Sequence, residues 1–314
     1  MSRKQKFSLC IHGGAGVISQ DELSDKEKNL IVNDLRKSLA AGEKVLANGG
    51  SAVEAVCAAV ESLENSEHFN AGKGAVYARG GKHFLEASVM EGANLQAGAV
   101  ANSERVKNPV LFAKELLANK DVVMMSGTNA DALAEKLGCE MVDNNYFDND
   151  FRKKQWEQAK KLSEDAIFLD HSNLKMGTVG AVAIDMDGNV ASATSTGGMT
   201  NKLDGRVGDT AIIGCGTYAN NKTCAVSCTG IGEFFIRATV ASLVSNLMEF
   251  GKLSLEEASR IAIHEHQGKM GGEGGLIAVG SDGKFTMPYN SGGMYRGFVT
   301  NEEKKVFIWD EEEL

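Results

Sequence analysis

The stretch Lys175-Met176-Gly177-Thr178-Val179-Gly180-Ala181-Val182 opens a strand with a Gly-Thr pair, and sixteen residues after Thr178 the hydroxyl-rich Thr194-Ser195-Thr196-Gly197-Gly198 begins. A threonine hydroxyl is a weak nucleophile unless a base lies beside it. The nearest base open to Thr178 is its own α-amine, freed when the 177–178 peptide bond is cut. Gly177 reaches backbone angles closed to other residues, so the peptide ahead of Thr178 can be strained and attacked by the hydroxyl, amide becoming ester before hydrolysis. The freed amine, with a reference pKa of about 7.7–8.0, then takes the hydroxyl proton near neutral pH. On its own a Gly-Thr pair at a strand start is ordinarily a β-favouring residue after a turn. The surroundings have to decide.

Outward from this pair, strands over 178–184 and 190–194 flank an Asp187-Gly188-Asn189 turn, a strong hairpin signal. Further strands are expected at 211–213 and 223–227, helices at 232–250 and 254–266, and closing strands at 275–279, 284–287 and 305–309. Upstream, 7–11 reads as a buried strand and 27–47 as a helix with Leu30, Ile31, Leu35, Leu39 and Val45 for one face. Ser51 caps a second helix through 63. Short strands between glycines follow over 74–101, then helices at 109–119 and 130–137 with a strand at 122–125 between them. Residues 143–175 read as a polar surface connector in which 150–163 is at most a polar-faced helix. Strands first and last with helix pairs between them suggest antiparallel sheet layers covered by helices on their outer faces.

The chain has 314 residues, enough for one large domain or two modest ones, and 42 acidic against 33 basic residues give a net charge of -9. That field repels nucleic acid and anionic lipid. Six cysteines without a CxxC pair fit reduced thiols and a cytoplasmic setting. The apolar run after the basic start ends at Ile11, too short for a signal segment or a membrane span. The 36 glycines against two prolines gather in short clusters, which suggests many passages where backbone comes close to something.

Arg206 and Asp209 share a short loop, Gly205-Arg206-Val207-Gly208-Asp209, whose cation and anion can grip the carboxylate and ammonium of an α-amino acid, or can form a surface salt bridge. Thr229-Gly230 runs into a predicted helix, so a hydroxyl and a backbone N–H can point at a developing oxyanion. An ordinary glycine-rich helix entry looks the same. His264-Glu265-His266 lacks the HExxH spacing of a zinc helix, and Gly13-Gly14-Ala15-Gly16 lacks the phosphate-loop pattern. His12, between a strand and glycines, is expected to pack or to bond to backbone.

Taken in order, these motifs with Phe69-Asn70-Ala71-Gly72, Ala97-Gly98-Ala99-Val100, Asn108-Pro109-Val110, Met199-Thr200-Asn201-Lys202 and Gly293-Met294-Tyr295-Arg296 resemble the plant-type L-asparaginase and isoaspartyl peptidase family of N-terminal-nucleophile hydrolases over nearly the whole chain. The resemblance implies an α+β fold, a four-layer αββα sandwich of two antiparallel sheets flanked by helices. It implies one domain, 1–314, that cleaves itself into an α subunit, 1–177, and a β subunit, 178–314. By the same resemblance Thr178 is the nucleophile, Thr196 orients it, Asn70 supports its surroundings, and Thr229 with Gly230 forms the oxyanion hole. Substrate is held by Arg206, Val207, Gly208, Asp209, Thr229, Gly230, Ile231 and Gly232. Ile231 stands where a polar residue is often seen. No organic cofactor is implied, but a structural sodium ion is, on the main-chain carbonyls of Leu63, Glu64, Ser66, Phe69, Ala71 and Lys73. The activity implied is release of L-aspartate from β-aspartyl dipeptides and L-asparagine by a homodimer of cleaved units, away from nucleic acid and membrane. A glycosylasparaginase-like or strict asparaginase activity, or a non-catalytic small-molecule binder, is the alternative.

Overall fold

The structure, a computed structural model, describes residues 7–16, 23–119, 121–162 and 177–309. Of the connector expected over 143–175, residues 163–175 lie outside them. In chain order, β1 (Ser8–Gly16) leads to helices α1 (Asp25–Ala47) and α2 (Ala52–Glu64), strands β2 (Leu85–Glu91) and β3 (Ala97–Ser103), helix α3 (Pro109–Ala118), strand β4 (Met124–Ser126), and helices α4 (Gly127–Lys136) and α5 (Asp150–Leu162). The second half holds β5 (Val179–Ile184), β6 (Val190–Thr196), β7 (Thr217–Ala219), β8 (Cys224–Gly230), helices α6 (Gly232–Ala238), α7 (Val240–Glu249) and α8 (Leu255–Arg260), then β9 (Gly274–Gly280), β10 (Phe285–Thr286), β11 (Gly293–Thr300) and β12 (Lys304–Phe307).

Two sheets form, ordered β12-β11-β1-β5-β6-β2-β3-β4 and β10-β9-β8-β7. Period-2 alternation sorts their side chains into three apolar layers. Leu9 and Ile11 of β1 and Val179, Ala181 and Ala183 of β5 face the helix layer of α1, α2 and α3. Cys10, Val182 and Ile184 point the other way and meet Ala225, Ile277 and Val279 of the smaller sheet. The opposite faces of β8 and β9, with Cys224, Val226, Leu276 and Ala278, pack on α7 and α8. The fold is therefore the expected α+β sandwich, helix–sheet–sheet–helix. One edge pair departs from it: β3 and β4 run parallel, because α3 provides the crossover a parallel pair needs.

The helices carry their own start signals. Ser24 with Glu27 and Ser51 with Glu54 form capping boxes at α1 and α2, each cap contributing about 1 kcal/mol. Leu35, fully buried on α1, contributes about 1.5–3 kcal/mol by leaving water.

Several expectations are corrected. Residues 211–213 form no strand beyond a single bridge from Ile213 to Thr217, because the chain reverses there with Ile212 N–H donating to Asp209 O and Gly214 N–H to Thr217 O. The helix expected over 232–250 breaks at Thr239, whose φ of 47° is left-handed. The helix after Ser254 becomes a π-helical turn over Ile261–Gln267. β1 continues past Ile11 to Gly16 through a bulge between His12 and Gly14, and β11 was not anticipated as a strand, although it pairs β1 along its length.

The sandwich interior is not uniform. Away from the apolar end, the inward positions of the strands are His12, Glu86, Ser88, Thr194, Thr196, Thr217, Ser227 and Thr229, all buried. This polar end surrounds the start of β5.

Candidate active site

Thr178 stands one residue ahead of β5 and is 9% exposed. Its hydroxyl donates to Thr196 Oγ1 at 3.2 Å, and the Gly198 amide donates to that same oxygen at 2.9 Å. Asn70 braces this loop with two bonds, its Nδ2 donating to Gly198 O at 2.6 Å and its main-chain carbonyl accepting from Gly197 N–H at 3.1 Å, while its Oδ1 is itself held by Val76 N–H at 3.1 Å. Behind the Thr178 hydroxyl, His12 bonds the Thr178 carbonyl through Nδ1 at 2.9 Å.

The two glycines of the approach are packed backbone to backbone. A Cβ on Gly14, whose φ is +112°, would lie 2.4 Å from Gly177 Cα and 3.2 Å from Thr178 N. β1 also joins Thr178 to Thr229, since the Ala15 amide donates to Thr229 Oγ1 at 3.2 Å. Having accepted there, the Thr229 hydroxyl keeps its proton for a further acceptor. Gly230 has φ +151°, and a Cβ there would strike Glu273 O at 2.4 Å. A cavity of about 250 Å³ reaches Gly177 from the side of Phe69, Asn70, Arg152 and Tyr295.

Gly232 in turn rests between the two charged loop residues, its missing Cβ 2.8 Å from Asp209 Oδ1 and 3.0 Å from Arg206 Nη2. Arg206 is paired with Glu233 rather than with Asp209, through Nε and Nη2 at 2.9 Å each, which leaves Nη1 as the remaining edge of the fork. Asp209 Oδ2 is buried with no partner. Burial pushes its carboxyl up to about 7, against the pull of Arg206. A buried, half-satisfied carboxyl beside an arginine can take the ammonium and carboxylate of a small zwitterion. Val207 and Gly208 form the backbone of that loop, and Ile231 is buried with its amide donating to Glu273 O.

The family model described as asparaginase matches residues 5–308. The chain belongs to the asparaginase family. Among its curated relatives, the isoaspartyl peptidase of Escherichia coli is 46% identical over 299 residues, covering 93% of this chain and 92% of the relative. The isoaspartyl peptidase/L-asparaginase of Danio rerio is 40% identical over 283 residues, covering 90% and 89%. The probable isoaspartyl peptidase/L-asparaginase 2 of Arabidopsis thaliana is 34% identical over 331 residues, covering 97% and 99%.

In this asparaginase-family chain, three supporting side chains, those of Glu86, Glu64 and Ser227, escaped the reading of the sequence. Glu86 accepts the Gly208 amide at 2.9 Å and holds buried Lys202 at 3.3 Å. Glu64 takes Ser195 Oγ–H at 2.6 Å, Val110 N–H at 3.0 Å and Asn108 Nδ2 at 3.1 Å, tying α2 to β6 and to the start of α3. Burial pushes Glu64 up to about 8, opposed by those donors. Ser227 meets His12 Nε2 at 2.9 Å. The only available signal was alternation: each lies on an inward strand position or at the end of a helix face, and nothing local marks it as paired.

Around Asn70 the main-chain carbonyls turn inward. A Cβ on Gly74 would lie 2.0 Å from Phe69 O and 3.0 Å from Ser66 O and Glu67 O, and one on Gly72 would lie 2.4 Å from Glu64 O. The Leu63, Phe69 and Ala71 carbonyls each accept an amide, from Ser66, Ala71 and Gly74, and retain a second lone pair. The Lys73 ammonium turns away to Glu67 at 2.7 Å. This carbonyl-lined loop suits a hard monovalent cation. Among the described residues no group of three or more His, Cys, Asp or Glu is placed to hold a metal, and no helix is long and apolar enough to cross a membrane.

Proposed function

We propose that this chain is an autoprocessed threonine hydrolase that releases L-aspartate from β-aspartyl dipeptides and from L-asparagine. The observation that carries this reading is the hydroxyl pair Thr178–Thr196 directly after a glycine that is packed bare against Gly14. Both substrates present a β-amide beside a free α-amino acid. Arg206 Nη1 would take the α-carboxylate and Asp209 Oδ2 the α-ammonium, with Val207, Gly208, Ile231 and Gly232 shaping the seat.

Thr178 Oγ1 attacks the β-carbonyl while its own α-amine accepts the proton. As the threonine hydroxyl loses that proton, Thr196 turns its own to the alkoxide. The Thr229 hydroxyl and the Gly230 amide receive the oxyanion, and the ammonium returns a proton to the leaving amine or ammonia. Water then takes the amine's help to release aspartate from the ester. The same hydroxyl, attacking Gly177, would cut the precursor into 1–177 and 178–314.

The carbonyls of Leu63, Glu64, Ser66, Phe69, Ala71 and Lys73 would hold a sodium ion that stiffens the Asn70 loop. We place the mature protein in the cytoplasm as a homodimer of cleaved units; the six cysteines, all free thiols, support the first.

The test is intact mass with N-terminal sequencing, followed by turnover of a β-aspartyl dipeptide, asparagine and a glycosylated asparagine. A fragment beginning at Thr178 and aspartate from the first two are expected. Thr178→Ala should stay one chain and be inactive. A Thr178→Ala protein that still matures sinks the scissile-bond assignment, and turnover of the glycosylated substrate alone sinks the substrate assignment.

A further inference from the structure

A row of buried hydroxyls crosses the sandwich interior and ends at the nucleophile residue. A carbonyl oxygen only accepts, so His12 Nδ1, 2.9 Å from Thr178 O, carries the ring proton. No carboxylate touches this ring among its hydrogen bonds, and burial pushes its pKa down to about 3, so the ring is neutral and Nε2 is an acceptor. Ser227 must therefore donate to it. With its proton spent, Ser227 accepts from Thr194 at 2.7 Å, and Thr194 accepts from Thr217 at 2.6 Å. Ser88, 2.7 Å from Thr217 Oγ1 and 2.6 Å from Thr210 O, closes the far end. The row alternates between sheets, β2, β7, β6, β8 and β1, and each of these side chains is 0% exposed.

The fold makes room for it at a cost. Gly180 lies inside β5, where a glycine weakens a strand. A Cβ there would fall 2.0 Å from Ser227 Oγ and 2.4 Å from His12 Nε2. The glycine keeps open the space through which the His12–Ser227 hydrogen bond passes.

We propose that the one-directional chain Thr217–Thr194–Ser227–His12 is a positioning relay that fixes the His12 tautomer and thereby pins the Thr178 carbonyl in the mature enzyme. This rests on the reading of Thr178 as an N-terminal nucleophile. Once the 177–178 bond is cut, Thr178 has no peptide on its amino side to hold it. The imidazole N–H then fixes the plane of the 178–179 peptide, Thr196 holds the hydroxyl, and the amine and Oγ1 keep a common geometry. His12 is a positioning residue and touches no substrate.

The experiment compares mature-site kinetics and 15N histidine spectra of the whole protein with His12→Asn, His12→Phe and Ser227→Ala. The short amide of His12→Asn can still donate where Nδ1 does, whereas His12→Phe has no donor. Expected are a fall in kcat of about tenfold or more in His12→Phe with KM within about twofold, and recovery of most of that loss in His12→Asn. Ser227→Ala should lower kcat by a smaller factor. In the parent protein, the resonance lost in His12→Asn should show Nδ1 protonated and Nε2 bare.

An Nε2-protonated ring overturns the relay, as does unchanged kcat in both His12→Phe and Ser227→Ala. If His12→Phe does not fold, Ser227→Ala and the spectrum still decide. The spectrum needs no turnover, so it reads the relay even where Thr178→Ala retains activity and the nucleophile assignment itself fails.

Discussion

Glu86 lies directly opposite Thr196 across the β2–β6 ladder and, with its Oε2, holds the amide of Gly208. One carboxylate thus joins the hydroxyl partner of Thr178 to the loop that carries Arg206 and Asp209. Its other oxygen faces the Lys202 ammonium, which also donates to Phe84 O at 2.9 Å.

Removing that charge leaves Lys202 buried without its carboxylate, and burial already lowers the lysine's pKa against the pull of Glu86. Glu86→Gln should therefore cost about 3–5 kcal/mol in urea unfolding. Glu86→Gln combined with Lys202→Met should regain much of that stability while KM stays raised, because the Gly208 amide loses a charged acceptor. A double variant with parental KM would show that Glu86 supports the fold alone.

Asp209 gives the site a pH dependence. Its folded pKa, about 7, lies above that of an ordinary carboxyl because burial opposes the charge. The native state then holds a proton the unfolded chain has lost, so this group's contribution to stability falls as pH rises from the carboxylate range towards 7 and is level above it. Binding runs the other way, since only the ionised form pairs with an ammonium. Calorimetry of L-aspartate should show affinity rising with pH through about 7, and Asp209→Asn should bind weakly without that rise. A flat profile in the parent protein contradicts the assigned partner.

Gly14→Ala combines a backbone penalty of about 1–2 kcal/mol with a collision at Gly177 Cα. It should block the appearance of a chain beginning at Thr178, read by intact mass. Gly49→Ala is the control: its φ is +78° but nothing lies within 4 Å of the added Cβ, so it should mature normally.

Glu64→Ala strips acceptors from Ser195, Val110 and Asn108 together and should cost at least about 3 kcal/mol of stability. Ser195→Ala, which removes one donor and leaves the other two in place, should cost less. Equal losses in the two variants would mean that Glu64 acts only through Ser195.

The helices α1, α2 and α3 were legible because caps and periodic faces are local signals: α1 showed its apolar face, and Ser51 and Pro109 stand where α2 and α3 start, whereas the Ser24 cap that begins α1 at Asp25 was not read. The β5–β6 hairpin was legible from its turn. β11 was missed because Gly293, Gly297 and Arg296 interrupt its apolar pattern, and that interruption is answered only by neighbours distant in sequence. Gly297, for example, lies where a Cβ would meet Leu39 Cδ1 at 3.0 Å. β1 looked shorter because Gly13 and Gly14 resemble a turn, whereas Gly13 makes way for the Phe69 ring. The hydroxyl pair, Asn70 and the charged loop were named from sequence. The side chains that support them, those of Glu64, Glu86 and Ser227, were not, since which buried polar group meets which is settled by sheet register and packing.

The strand order has one more consequence. In the larger sheet, β1 from the first half of the chain is inserted between β11 and β5 of the second, and β5–β6 is inserted between β1 and β2. A cut before Thr178 would leave two polypeptides laced through each other rather than two lobes side by side. They could part only by unfolding, and once parted they would have to find each other again, so recovery from denaturant would change from a first-order to a second-order process and slow with dilution.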